Sequence, residues 1–121
     1  RIDIKNAKND CLDLSFGNYK FYIIHLENCK DKAISVGEKS FLNAVDIVTS
    51  DSNYGIVSKD SSKVTIGNFK STRNKYCVAA YKKKQEFDGG FLKIDNLQCK
   101  DFDKKIDIDE FSEIIISNHK S

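Results

Sequence analysis

Proline, methionine and tryptophan are absent from the 121 residues of this chain, and no long apolar run occurs. Without proline no ladder donor is missing from the backbone, which suits a chain built of many hydrogen-bonded strands. Without methionine Arg1 is not a natural start, so the chain is expected to be a processed product or a piece of something longer. The densest apolar stretches, Phe21 to Ile24 and Ile114 to Ile116, are far too short to cross a bilayer, so no membrane insertion is expected. A net charge of +2 is too small to point to nucleic acid or an anionic membrane as partner. What is present is ordinary for a globular protein: 40% apolar and 31% charged residues, enough for one domain across residues 1–121 and too apolar for disorder.

Four segments share one pattern: Cys11-Leu12-Asp13-Leu14-Ser15, Ala33-Ile34-Ser35-Val36-Gly37, Gly55-Ile56-Val57-Ser58-Lys59 and Cys77-Val78-Ala79-Ala80-Tyr81, and they follow one another at an equal step of 22. Each opens on a small residue and then alternates, with Leu12, Ile34, Ile56 and Val78 on one face and Leu14, Val36, Ser58 and Ala80 two positions on. Period two is the mark of a strand with one buried face, not of a helix. A second apolar band lies halfway round: Tyr22-Ile24-Leu26, Val45-Ile47, Val64-Ile66-Phe69 and Leu92-Ile94. Its register slips by one residue between coils. Ile2-Asp3-Ile4 falls one full step before Ile24-His25-Leu26, and a four-residue insertion near Lys84 to Gly90 displaces the last repeat. A strand that cannot bury its inner face alone does so by stacking on copies of itself at ~4.8 Å.

The pattern predicts an all-β chain, a right-handed parallel β-helix (a solenoid) of about five coils. Repeats are expected near 11–32, 33–54, 55–76 and 77–102. The tail, 103–121, holds one or two further strands through Ile106, Ile108 and Ile114 to Ile116. A seven-stranded sandwich would not give three equal spacings with matched residue types. The repeat also predicts columns: Asn6, Asn28, Ser50 and Thr72 as a polar ladder, and Tyr54 above Tyr76. The first coil has no capping helix ahead of Ile2, so its edge is expected to be exposed or covered by a partner, with end-to-end association one way to cover it.

Four cysteines in a small chain suggest a disulfide framework, but the columns point the other way. Cys11 and Cys77 share one column and Cys29 and Cys99 another, each pair three coils apart. That is ~14 Å, twice the α-carbon separation a bridge allows. Buried thiols filling tight places are expected, and with only His25 and His119 to assist and no C-x-x-C, no zinc site.

The densest chemistry follows the first strand of each coil. Phe16, Glu38, Asp60 and Lys82 form one column, and Ser15, Gly37, Lys59 and Tyr81 its neighbour. Stacked carboxylates repel, which raises a pKa or recruits a cation. Glu38 and Asp60 with Lys59 and Lys82 are therefore the candidate catalytic set, suited to removing a sugar proton beside a carboxylate-bound cation. Tyr81, with Asp13 and Asp31 if the turn folds inward, are candidate ligand contacts. No dedicated metal site or cofactor is expected, calcium at the paired carboxylates being the sole candidate. The bland alternative is a solvated ladder in which Lys39, Lys59 and Lys82 neutralise the acids. Lys82-Lys83-Lys84 reads as a solvated turn, the acidic tail Asp101 to Glu110 lacks the glycine and spacing of a calcium loop, and His25 points outward between Ile24 and Leu26.

The runs Asp31 to Glu38 and Gly55 to Val64 resemble the repeats of the pectate-lyase-like β-helix family. Together with Ala79 to Lys83 they are more loosely similar to β-helix segments of bacterial cell-surface proteins, some of them attached to spore-coat-H-like kinase domains. The resemblance covers residues 2 to 102 and implies fold rather than activity. It implies an extracellular or cell-surface setting and contact with polysaccharide or neighbouring domains. Two functions follow as expectations: a non-catalytic module for display, carbohydrate contact or assembly, and a polysaccharide lyase or hydrolase fragment using the carboxylate and lysine cluster.

Overall fold

The computed structural model describes residues 1–120, and among these there are eleven strands and no helix. In chain order they are β1 (Ile2–Ala7), β2 (Leu12–Ser15), β3 (Asn18–Cys29), β4 (Lys32–Gly37), β5 (Phe41–Ser50), β6 (Tyr54–Lys59), β7 (Lys63–Thr72), β8 (Tyr76–Tyr81), β9 (Phe91–Lys100), β10 (Lys104–Ile108) and β11 (Glu113–Lys120). Short and long strands alternate along the chain and sort into two parallel sheets. The long sheet runs β1-β3-β5-β7-β9-β11 and the short one β10-β8-β6-β4-β2. This is a parallel β-solenoid of about five turns, with the repeat read from the sequence.

The inner columns form as the alternation requires. Leu12, Ile34, Ile56, Val78 and Ile106 stack in the short sheet, with Leu14, Val36, Ser58, Ala80 and Ile108 beside them. The long sheet answers with Ile24, Ile47, Phe69 and Leu97, and with Leu42, Val64 and Leu92. Most of these are inaccessible to solvent and pack into one core, with Leu12 and Ile106 partly buried at its two ends and Ile108 43% exposed. The tail adds two strands, and Tyr54 stacks on Tyr76 with ring centroids 4.6 Å apart.

Register accounts for three departures from expectation. Asn18 faces Phe41 where an unbroken repeat would bring Ser40, which is the slip of one residue. Because of it Ser50 and Thr72 pair with Glu27, and the residues level with Asn28 are Asp51, Arg73 and Asp101. Only the Asn6–Asn28 part of the expected ladder forms, with Asn28 Nδ2 donating to Asn6 Oδ1 at 2.8 Å. The true column sits in the left-handed region, with φ between 55° and 60°, a conformation Asn and Asp tolerate best. Arg73 is held there by two bonds to Asp51, at 2.6 and 2.9 Å, and its guanidinium keeps the Asp51 carboxyl below the ordinary range. The insertion is also longer than expected. Phe41 faces Lys63 in step, but Lys63 faces Phe91 where an unbroken repeat would bring Gln85, so the loop between β8 and β9 is longer by Gln85 to Gly90.

The third departure lies within the long strands, whose alternation skips a residue near the middle. Leu42 and Ala44 face inward, then Ile47 and Thr49; Val64 and Ile66, then Phe69 and Ser71. Tyr22, expected in the same band as Ile24 and Leu26, falls on the skip and is 75% exposed. A local phase change is how a strand longer than one face turns a corner without losing its ladder.

The cysteines are bridged, contrary to expectation. Cys11 joins Cys29 with α-carbons 5.4 Å apart, and Cys77 joins Cys99 at 6.1 Å. The separation of ~14 Å holds between coils, whereas both bridges form within a single coil. Each bridge runs from the start of a short strand to the end of the next long strand, where the coil has nearly closed on itself. Cys99 also does not share a column with Cys29; it lies level with Leu26, Thr49 and Ser71. Between the bridges the core carries a polar plug. Asn74, fully buried, donates to Thr49 Oγ1 at 3.0 Å and Ser71 Oγ at 2.7 Å and accepts from the Ser52 amide at 2.9 Å. Gly55 makes room for it: a Cβ there would lie 2.4 Å from the Cys77 carbonyl and 3.2 Å from Asn74 Nδ2.

Replacing Cys77 and Cys99 together by alanine is expected to lower the unfolding free energy by about 3 kcal/mol, as for a closed loop of this size. Urea unfolding under non-reducing conditions checks this, and an unchanged midpoint would contradict it.

Candidate functional site

The side chains singled out for chemistry divide between two places. Glu38, Asp60 and Lys82 lie where the short strands turn into the long ones. Lys59, Tyr81, Asp13 and Asp31 lie on or beside the outer face of the short sheet.

At the turn, Glu38 and Asp60 both have positive φ, at 33° and 52°, and the Lys39 amide donates to the Asp60 carbonyl at 3.0 Å. The two residues therefore stack, as expected. Their carboxylates do not form an open pair. Asp60 is fully buried, and its Oδ1 accepts from the backbone amides of Lys83 and Lys84, each at 2.8 Å. Glu38 is neutralised by Lys84 Nζ at 3.4 Å. The Lys82 ammonium lies 4.7 Å over the Phe111 ring and its amide donates to Asp109 Oδ2 at 2.7 Å. The lengthened loop thus folds back over the turn and ties it down, with Phe87 6.5 Å from Phe16. Among the described residues no three acidic, histidine or cysteine side chains converge as metal ligands.

On the short sheet both faces are closed. The outer floor is small, with Ser35, Val57 and Ala79 all inaccessible. Lys59 and Tyr81, partners in register, provide long side chains at its margin. Lys59 is 8% exposed and lies across Gly37, with its Cε 3.2 Å from where a Cβ would stand, so the aliphatic stem covers apolar surface. Burial, with Lys83 and Lys32 next in weight, pushes the Lys59 amine down. Burial pushes the Tyr81 phenol up to about 12. Lys32 is committed to Asp31 at 2.7 Å. Asp13 sits in the Ser35 column, and its charge acts on Lys59. Among the described residues two buried polar atoms here lack partners, Ser35 Oγ and Asp60 Oδ2, the one on the floor and the other at the turn.

Two open grooves lie on the opposite sheet, away from the candidate site residues, and a third cavity of about 560 Å³ lies at the turns after the long strands, beside Asp51, Arg73 and Asp101. At the phase change Tyr22, Val45 and Gly67 line a groove of about 390 Å³ with Asn43, Thr65 and Lys93. A Cβ on Gly67 would sit 2.8 Å from the Val45 carbonyl, so the groove floor admits no side chain there. Next to it a groove of about 630 Å³ is lined by His25, Asp46, Asn68, Lys70, Asn96 and Gln98 among others. Up the boundary runs a ladder. Asn68 Nδ2 donates to Asp46 Oδ1 at 2.7 Å, Asn96 to Asn68 at 3.0 Å, and Asn118 to Asn96 at 3.2 Å. Thr65 also donates to Asn43 on the same face. The signal was present in the sequence, but the insertion separates Asn68 from Asn96 by 28 positions and hides it from a search at 22.

Comparison with protein-family models, with curated proteins and with solved structures finds no match.

Substituting Asp60 by alanine leaves two part-buried backbone hydrogen bonds unmade and a buried site empty, and is expected to cost about 2 kcal/mol. Hydrogen exchange at Lys83 and Lys84 should accelerate together with the loss in urea midpoint. Unchanged stability and exchange would return Asp60 to the pool of free functional groups.

Proposed function

We propose that this chain is a non-catalytic β-solenoid module that contacts carbohydrate through the outer face of its long sheet. The amide ladder from Asp46 to Asn118 carries the proposal. An asparagine amide has two donors and two acceptor lone pairs; Asn68 and Asn96 each give one of each to the ladder and keep one of each for a ligand, while Asn118 donates to both Asn96 and the Asp95 carbonyl and keeps its acceptor. Spaced by the strand separation of ~4.8 Å and held rigid by the sheet, these groups can bond successive hydroxyls of an extended polymer. Tyr22, 75% exposed beside the first groove, offers an apolar ring face at the edge of this polar track. The resemblance to pectate-lyase-like and bacterial cell-surface repeats supports the same reading, and the two disulfides support an oxidising compartment such as the cell exterior.

The competing reading is a lyase with Lys59 as base. It draws on the lowered Lys59 amine and the neighbouring Tyr81. Against it stand the commitments of its carboxylates: Asp60 to two backbone amides and Glu38 to Lys84. Without a free carboxylate pair nothing at the turn holds a cation beside the substrate.

Affinity electrophoresis against a polysaccharide panel separates the two. Retardation by at least one polymer, weakened five-fold or more by Tyr22→Ala and by Asn68→Ala, is expected, with no release of unsaturated sugar with or without calcium. Unsaturated product that disappears in Lys59→Ala would overturn the proposal in favour of the lyase.

A further inference from the structure

The net charge of +2 conceals a lysine-rich face. Six exposed lysines, Lys20, Lys63, Lys70, Lys93, Lys100 and Lys120, alternate with inward-facing core residues along the long strands and so project from the outer face of that sheet. None takes part in an ion pair within 4 Å among the described residues, whose bridges run elsewhere or close locally, as Lys5 does on Glu27. The acids left without an ion pair on this face are Asp46, Asp95 and Glu113, and Asp46 is already engaged by Asn68. Four of the lysines, Lys20, Lys93, Lys70 and Lys120, stand at the two grooves.

We infer that the ligand of this face is a polyanionic glycan, one whose repeating units carry carboxylate, sulfate or phosphate. The inference rests on the proposed carbohydrate contact and adds the charge of the ligand to it. Six exposed ammonium groups on one rigid sheet attract a polyanion and repel a polycation, and the amide ladder between the grooves bonds the hydroxyls that separate its charges. Three features favour a glycan over nucleic acid. The acids scattered among the lysines oppose an unbroken line of phosphates. Of the rings that line the grooves among the described residues, Tyr22 is the widely exposed one, with Phe21 and His25 partly buried and Phe69 buried, where single-stranded nucleic acid needs a series of open stacking platforms. The two disulfides belong to an oxidising compartment, where glycans and not nucleic acids are the abundant polyanions.

The test uses the full chain and fluorescence anisotropy with labelled dextran, dextran sulfate, polygalacturonate, a phosphorylated dextran and a DNA oligonucleotide, at 50 and 300 mM NaCl. One or more charged glycans should bind at least ten-fold tighter than dextran at low salt, and most of that margin should vanish at high salt. The triple variant Lys20→Glu, Lys70→Glu, Lys93→Glu should lose the margin. A triple variant of equal charge change at turns, Lys8→Glu, Lys39→Glu, Lys75→Glu, should keep it, with circular dichroism melts confirming that both fold. Dextran bound as well as the charged glycans would overturn this inference while leaving the carbohydrate contact standing. No glycan bound at all would remove both. DNA bound more tightly than every glycan through the same three lysines would overturn the inference in favour of nucleic acid.

Discussion

Parallel backbone pairing between one coil and the next is the constraint on which everything else in this chain depends. A strand here has no partner within its own coil; each N–H and C=O along it is satisfied by the coil above or below. Every coil must therefore keep step with its neighbours, and a residue gained or lost has to be absorbed where no ladder is interrupted. Both departures from the regular step obey this. The extra residue of the second coil is taken up between β4 and β5, and the longer insertion of the fourth lies between β8 and β9. The core follows from the same rule, since stacked inward positions become continuous apolar columns. The two disulfides then fasten a coil near each end of the stack.

The insertion shows how a register constraint is turned to use. Residues with no place in the ladder must leave the coil, and the loop that holds them folds over the turn below, where the buried carboxylate of Asp60 receives two of its amides. Asp60 sits at positive φ, in the turn that every coil makes between its short and long strands. What looks in the sequence like a reactive pair of acids is a structural anchor. The short sheet is likewise sealed by its own lysine and tyrosine side chains, while the long sheet keeps grooves open because its strands change phase and Gly67 leaves the floor bare.

Much of the fold was legible because it depends on spacing. Alternation at Leu12 and Leu14, repeated at Ile34 and Val36, specifies a strand, a face and a period without reference to any other part of the chain. The disulfides were not legible for the opposite reason. Cys11 and Cys29 meet only because the coil closes, and closure depends on how sharply the turns bend, which residue identities do not state. The polar ladder failed in two ways. Asn6 and Asn28 stack, but one slipped residue exchanges Ser50 for Asp51 further up, and the insertion conceals the longer ladder from Asp46 to Asn118 altogether. Of the candidate site, the stacking of Glu38 and Asp60 was legible. The burial of Asp60 was not, because the loop that covers it has no counterpart in the other repeats.

The two faces of the solenoid make opposite claims on a ligand, and amide chemical shifts read both at once. Titrating the isotopically labelled chain with the tightest-binding glycan should move the resonances of Tyr22, Asn43, Asn68 and Asn96 and leave those of Ser35, Lys59 and Tyr81 in place. Shifts concentrated at Lys59, Tyr81 and the turn around Asp60, with the long sheet silent, would contradict the assignment of ligand contact to the long sheet.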